Sequence, residues 1–383
     1  MPLAACAFVA GEASGDLLAA GVVRQLRVRE PGLPCVGVGG DRMIAAGFEA
    51  WAHVRELSVR GYVEVLRHLP RLLALRRSLR RRLLAAPPAV FVGVDAPDFN
   101  LGLEESLREH GIRVVHYVSP SIWAWRSERI HQIRRSVDRM LLVFPFEQRI
   151  YDEAGIPATY VGHPLASMIP MVPDAGAARA RLGLGASGSL VAVLPGSRTD
   201  EVRHLGPVFL DAMAQLLRED PAIRFALPVA DPPLKAALQQ MLKEYPGLAD
   251  ALTLTEGRAH DVLEAADVVL VASGTATLEA ALFKRPMVIA YKMPALSAWL
   301  MRRKGEAQVP FVGLPNILAQ ESLVPELLQE HATAPALAAA VRAQLGDAAG
   351  RARLEQRFSA MHASLKRDTV GLVAQAILDE ARR

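Results

Sequence analysis

The sequence predicts an α/β protein built from two doubly wound parallel-sheet domains. Three observations carry that expectation. Short apolar runs of strand length alternate with helical patterns along nearly the whole chain, which is the βαβ rhythm of a parallel sheet covered on both faces. The rhythm breaks at Pro157, Pro164, Pro170 and Pro173 and then restarts. Polar loops follow several of the apolar runs directly, at the strand ends where open α/β sheets bind ligands.

In chain order, "AACAFVA" reads as the first strand, followed by the glycine loop "GEASGD" and a helix from Asp16 to about Arg29. The strand-like runs "CVGVGG", "AVFVGVD", "RVVHYVS" and "RMLLVFPF" come next, with helices near Leu101 to His110, near Ser127 to Val137 and from Glu147. Beyond the proline-rich hinge come "LVAVLPGS", a helix from Thr199 to about Arg218, "RFALPVA" and a helix from Pro233. "ALTLTEG", a helix near His260, "VVLVASG", a helix from Thr275 and "PMVIAYK" complete the second series. The alanine-rich stretch from Ala334 is helical. The expected division is an N-terminal domain at 1–164, a C-terminal domain at 171–345 and a helical segment at 346–383. That segment would pack back on the first domain or on a second copy of the chain, which makes a homodimer a candidate partner state. A cleft between two facing sheets is the expected site.

Composition narrows the function classes. Of 383 residues, 51% are hydrophobic and 22% charged, so a packed core is expected and disorder is not. The two cysteines, Cys6 and Cys35, make no disulfide framework and suit the cytosol. The histidines form no HExxH or other tight pair, so no metal is expected. The first lysine is Lys235, and no GxxxxGK[ST] loop occurs. No G-x-G-x-x-G follows the first strand, which disfavours a nicotinamide enzyme and leaves no organic cofactor called for. The N-terminus lacks the basic start of a signal peptide, and no apolar run is long enough to span a bilayer.

Net charge is only +4, but from Trp51 to Arg82 nine arginines face two glutamates. Leu72, Leu75, Leu79 and Leu83 recur at helical spacing among Arg71, Arg76, Arg77, Arg80, Arg81 and Arg82. Docking on a sheet explains Leu75, Leu79 and Leu83. Val63, Val65, Leu66, Leu69, Leu72 and Leu73 add apolar surface beside the arginines, a combination suited to an anionic membrane face. Nucleic acid is not expected, because the arginines alternate with leucines rather than with rings that stack on bases.

Four loops hold candidate chemistry, although each would also serve as an ordinary βα turn. In "VFVGVDAPDFN", Asp95 ends an apolar strand with no capping duty, while Asp98 or Asn100 is free to cap the next helix. A buried carboxylate there is placed to act as a general base. In "YVSPSIWAWR", Trp123, Trp125 and Arg126 combine apolar planes with a cation, suited to a sugar or acyl chain beside an anion. In "LPGSRTDE", Ser197 or Thr199 caps a helix, and Arg198 is free to reach phosphate oxygens. In "ASGTATLE", Ser273, Gly274 and Thr275 open a helix with no acid in its first turn, an anion site. Glu279, one turn on, is placed to accept ribose hydroxyls. The pair describes a nucleoside diphosphate. "LLVFPF" reads as core.

The motifs "GEASGD", "GVDAPDFN", "YVSPSIWAWR", "LPGSR", "ASGTATLE" and "LPNILA" occur in order from Gly11 to Ala319, and with them the chain resembles the lipid-A-disaccharide synthases, glycosyltransferases of the GT-B architecture. The resemblance implies inverting transfer of 2,3-diacylglucosamine from its UDP donor to 2,3-diacylglucosamine 1-phosphate, lipid X. It implies a β-1,6-linked disaccharide phosphate and UDP as products, no metal, and peripheral association with the cytoplasmic face of the inner membrane. Carried over residue by residue, it makes Asp95 the proposed base and Arg198, Ser273, Gly274, Thr275 and Glu279 the UDP contacts, with Ser197 beside them. Asn316 of "LPNILA" becomes a diphosphate neighbour. Gly11, Glu12 and Ser14 would face the acceptor, with Glu12 the rival base and Asp16 supporting the first helix. Arg126 and Arg129 are candidates for the acceptor phosphate. Competing expectations are another GT-B enzyme, such as a UDP-N-acetylglucosamine transferase or 2-epimerase, and a non-catalytic membrane protein that binds nucleotide sugar.

Overall fold

The computed structural model describes residues 4–57, 62–124, 127–185, 188–197, 199–293 and 310–383, and of residues 62–68 and 199–200 the backbone alone. The chain forms two compact units, Met1–Ser167 with Leu365–Arg383 and Met168–Ser364.

The first unit holds β1 (Cys6–Ala10), α1 (Ala13–Arg29), β2 (Cys35–Gly39), α2 (Asp41–Ala45), β3 (Glu49–His53), α3 (Tyr62–Ala85), β4 (Val90–Val94) and α4 (Pro97–Glu109). It continues with β5 (Val114–Tyr117), α5 (Arg129–Ser136), β6 (Arg139–Leu142), α6 (Glu147–Glu153), β7 (Ala158–Tyr160) and α7 (Pro164–Met168). Its sheet runs β3-β2-β1-β4-β5-β6-β7, with every neighbouring pair parallel. The second unit holds α8 (Ala175–Leu182), β8 (Leu190–Leu194), α9 (Thr199–Glu219), β9 (Arg224–Val229), α10 (Pro232–Leu242), β10 (Leu252–Glu256), α11 (Ala259–Ala265) and β11 (Val268–Ala272). Then follow α12 (Thr275–Leu282), β12 (Met287–Tyr291), α13 (Leu314–Ala319), β13 (Glu326–Leu328), α14 (Ala334–Gly346) and α15 (Ala348–Leu365). Its sheet, also parallel, runs β10-β9-β8-β11-β12-β13.

The central strands form where the sequence is continuously apolar, because both of their faces are covered: β1, β2, β4 and β11 are buried at every residue. The edge strands β3, β7 and β13 escape the sequence reading for the converse reason. None of their residues is buried, and no apolar run announces them.

Two local expectations change. Asp16 is buried in the first turn of α1, three residues past its first residue, and accepts the backbone N–H groups of Gly40 at 2.7 Å and of Arg42 and Met43 at 3.1 Å. It caps α2, the neighbouring helix, instead of its own. The expected domain boundaries at 164, 171 and 345 also shift, because α15 stays with the second unit and only α16 (Thr369–Ala381) packs on α1. The return is fastened by His163 N–H to Leu365 O at 2.9 Å, by Ser167 Oγ to Arg367 O at 3.0 Å, and by Arg139 to the buried Glu380 at 2.8 Å. Among the described residues no helix is long and apolar enough to cross a membrane.

In each sheet the direction of winding reverses once, between β1 and β4 and between β8 and β11. Those switch points leave a crevice at the carboxyl ends of the strands. In the first, Gly11 lies so close to Ala96 that a Cβ on it would stand 2.1 Å from the Ala96 methyl. Gly11→Ala is therefore expected to destabilise the protein by about 1–3 kcal/mol through overpacking, read as a lower thermal midpoint. Ala96→Gly in the same chain should recover most of the loss, and a single variant melting with the parent would show that the two loops part freely.

Candidate active site

The β4–α4 loop is strained. Asp95 and Ala96 both occupy the left-handed region, at φ 54° and 46°, where residues other than glycine are rarely held without a reason. The backbone around them is pinned. Asp95 N–H donates to Tyr117 O at 2.9 Å on β5, and Asn100 Nδ2 donates to Asp95 O at 2.8 Å and Val9 O at 3.2 Å on β1. Asp95 is half-buried, not buried as expected for the candidate base. The expected caps of α4 are otherwise engaged: Asn100 holds the loop, and Asp98 is exposed and pairs with Arg129. Across the switch point Glu12 is exposed at the N-cap position of α1 with no capping bond of its side chain, and Ser14 is exposed. Gly11 is buried, so its part is packing against Ala96 and not contact with an acceptor.

The next two loops make an aromatic shelf. Val118, a β-branched residue, sits at φ 79° where β5 ends. Half-buried Trp123 meets Phe146 edge to face at 5.4 Å, Phe146 stacks on Phe144 at 5.8 Å, and Phe144 lies 5.3 Å from the His163 ring. "LLVFPF" is thus core up to Phe144, Pro145 is exposed and Phe146 is partly open. Beneath the shelf Glu147 is buried, accepting Phe144 N–H at 3.1 Å, while Ser119 and Tyr151 share a hydrogen bond of 2.7 Å. Burial pushes the Glu147 carboxyl up to about 8, against the pull of its hydrogen bonds, and pushes the His163 imidazole down to about 4. Trp125 and Arg126 lie outside the described residues.

In the second unit the loops after β8 and β11 flank the switch point. Ser197 is exposed, and its N–H is taken by Glu201 at 3.1 Å, so an acid occupies that helix start. Arg198 lies outside the described residues. Ser273 donates from Oγ to Val312 O at 2.9 Å. Gly274, at φ 152° and ψ −165°, turns the chain into α12 through a conformation open only to glycine, and Thr275 beyond it is exposed. The first turn of α12 holds no acid. Glu279 stands 3.3 Å from His260, whose imidazole that hydrogen bond pushes up. His260 carried no signal in sequence beyond being a histidine at a helix start.

Asn316 departs from expectation. It is fully buried and spends its whole amide on the protein, donating to Val324 O and Glu326 at 2.9 and 2.8 Å and accepting from Leu323 and Val324 N–H at 2.9 and 3.0 Å. Its side chain shapes a loop and has nothing left for a diphosphate. Glu326 extends that scaffold by accepting Val312 and Gly313 N–H, both at 2.9 Å.

On α3, Leu79 and Leu83 are buried in the core and Leu75 packs partly against it. Leu72 and Leu73 are half-buried, and Leu69 is 41% exposed. The side chains of Val63, Val65 and Leu66 lie outside the described residues. Arg82 covers the Trp51 ring at 3.9 Å, and Arg71 pairs with Glu56 at 3.4 Å. Among the described residues no group of three or more His, Cys, Asp or Glu could hold a metal ion.

Two parallel, doubly wound sheets, each with polar loops at its switch point, define the GT-B class of glycosyltransferase-like folds. A glycosyltransferase of kitacinnamycin superposes with a TM-score of 0.63 at 16% identity, covering 99% of this chain and 100% of its own. A UDP-N-acetylglucosamine 2-epimerase assigned to Listeria monocytogenes superposes at 0.64 and 12% identity, over 99% and 95%. At those identities the likeness is one of fold. The family is decided by sequence: residues 6–377 match the model of lipid-A-disaccharide synthetase. The lipid-A-disaccharide synthase of Cupriavidus pinatubonensis is 55% identical over 98% of this chain and 93% of its own. The chain belongs to the lipid-A-disaccharide synthetase family.

Glu147 makes stability pH-dependent. Its carboxyl titrates at about 8 in the fold against 4.5 for an ordinary one, so the unfolded chain loses its proton first. The protonated form's advantage is complete below pH 4.5 and is lost as pH rises towards 8. Glu147→Gln should flatten that fall and be the more stable protein at pH 8, measured by urea unfolding across the range. Parallel profiles for the two proteins would mean that Glu147 is ionised in the fold.

Proposed function

We propose that the protein transfers 2,3-diacylglucosamine from UDP to the 6-hydroxyl of 2,3-diacylglucosamine 1-phosphate with inversion. Family membership supports the reaction class. The observation that carries the assignment of the base is the strained, pinned Asp95 beside the β1–β4 switch point. Asp95 takes the proton as the acceptor oxygen attacks the anomeric carbon, and the bond from that carbon to the UDP oxygen breaks on the opposite side. Glu12 and Ser14, exposed on the loop beside it, bind acceptor hydroxyls. Trp123 and Phe146 offer apolar surface to an acyl chain, with Trp125 and Arg126 continuing the same loop.

The departing diphosphate is held by the N-terminus of α12 at Gly274 and Thr275, and Glu279, fixed by His260, accepts the ribose hydroxyls. Ser197 and Arg198 add donors to the charge that develops on UDP. Each such donor is worth about 2.7–4 kcal/mol in the transition state, which makes electrostatics the main source of rate without a metal. Arg129, already paired with Asp98, is a weaker choice for the acceptor phosphate than Arg126.

Radiolabelled UDP-2,3-diacylglucosamine with lipid X should yield the disaccharide phosphate. Asp95→Asn should keep UDP affinity and lower kcat by about 10²–10⁴-fold. No product with the parent protein rejects the reaction, and near-parental turnover in the variant rejects Asp95 as base.

The diacyl substrates reside in a bilayer, and Leu69, Leu72 and Leu73 stand among arginines on α3. We infer that this face, with Val63, Val65 and Leu66, rests on the anionic inner-membrane surface. Serine at Val65, Leu66, Leu69 and Leu72 together should move the protein from vesicle-bound to free in a flotation assay. An unchanged distribution would exclude this face.

A further inference from the structure

Glu326 has no part in the reaction described above. It is the first residue of β13 and stands in register with Ile289 on β12. Three donors fill its carboxyl. Oε2 accepts the Val312 N–H at 2.9 Å, and Oε1 accepts the Gly313 N–H at 2.9 Å and Asn316 Nδ2 at 2.8 Å. The loop at 312–314 comes this close only because residue 313 is a glycine: a Cβ there would stand 2.2 Å from Ile289 Cδ1. A negative charge in a unit that binds an anion works against binding, so Glu326 has to be accounted for by what it holds.

What it holds leads to the entry of α12. Val312 O accepts Ser273 Oγ at 2.9 Å, and the Leu314 N–H donates to Thr277 Oγ1 at 3.2 Å. Thr277, fully buried, gives its own hydroxyl proton to Gly274 O at 2.7 Å, and its backbone N–H reaches the same oxygen at 3.1 Å. The peptide joining Gly274 to Thr275 is trans, so its N–H points opposite to its C=O. With Gly274 O drawn into α12, the Thr275 N–H is turned out of the helix end, where an anion would meet it. One loop of three residues is thus bonded both to Glu326 and to the two side chains, Ser273 and Thr277, that flank and shape the Gly274 turn.

We propose that Glu326 is a positioning residue for the departing diphosphate: through the loop at 312–314 it braces Ser273 and Thr277, and these aim the N–H groups at the start of α12. Glu326 itself touches neither phosphate nor sugar. The inference rests on α12 holding the diphosphate.

The test compares UDP with uridine, which lacks the phosphates, in binding titrations of the full chain. Glu326→Gln keeps the shape of the side chain and one acceptor oxygen but sets an NH2 group against a backbone N–H. It should weaken UDP binding about tenfold and leave uridine affinity at the parental value. kcat should fall by about 10–10²-fold, with the KM for lipid X unchanged. The direction is diagnostic, because loss of a negative charge by itself tightens the binding of an anion. Thr277→Val, which cuts the other end of the path, should show the same selective loss, and Thr277→Ser, which keeps the hydroxyl, should recover most of it. Because the two residues act through one loop, the Glu326→Gln/Thr277→Val double variant should lose no more than the worse single variant. Unchanged or tighter UDP binding in Glu326→Gln, an equal loss for uridine, or losses that multiply in the double variant would overturn the inference. A measurement on the parent needs no variant to fold: amide exchange at 312–314 should slow with UDP and not with uridine, and equal rates with the two would also overturn it. Failure of the underlying reading looks different: Gly274→Ala, which distorts the entry turn itself, would then bind UDP as the parent does.

Discussion

A glycine hydrogen facing an alanine methyl sets the working end of the first unit. Because Gly11 has no side chain, the loop after β1 settles directly on Ala96, and the loop after β4 can pass beneath it only with Asp95 and Ala96 in the left-handed region. The cost of that backbone, of order 1–3 kcal/mol for each residue, is offset by Asn100, which from α4 donates to both Asp95 O and Val9 O of β1, and by the Asp95 N–H, which donates to Tyr117 O of β5. What results is a carboxylate at a switch point whose main chain has little freedom to relax. Electrostatic and general-base catalysis both depend on such preorganisation.

The second unit solves a different problem. A departing diphosphate needs N–H groups more than it needs side chains, and α12 offers them because its first turn is free of acids. The start of α9, by contrast, is already occupied by Glu201. Around the α12 loop the polar side chains serve the backbone. Ser273 bonds Val312, Thr277 bonds Gly274, and Asn316 and Glu326 gather the segment before β13. The motif "LPNILA" therefore spends its asparagine side chain on the backbone and carboxylate beside it.

The parallel sheets were legible because strands buried on both faces are apolar at every position. The edge strands β3, β7 and β13 were not, since a half-covered strand needs only partial apolarity, although the edge strand β10 was read from the run "ALTLTEG". Asp95, Ser273, Gly274, Thr275 and Glu279 could be singled out because each follows a readable strand at a fixed distance. Asp16 and Asn316 were misread in detail because a short polar side chain bonds whichever backbone comes near, and sequence does not say which that is. Buried Glu104 and His116, which meet at 2.6 Å, left a trace, a histidine within the apolar run "RVVHYVS", but the glutamate lies on a helix and the gap that admits the pair is Gly93 on a third element.

By itself, the sequence determined the order of the central strands and their main helices, the two-sheet division and the loops that could carry chemistry, because local periodicity follows burial and turn residues follow backbone angles. Its motifs also pointed to the family. Only the tertiary structure decided which neighbours meet: that Asp16 caps α2, that Asn316 is consumed by its own loop, and that His116 of β5 meets Glu104 of α4 in the interior of the first unit. Those are contacts between residues far apart in the chain. Their geometry is set by strand order and packing, which no local pattern encodes.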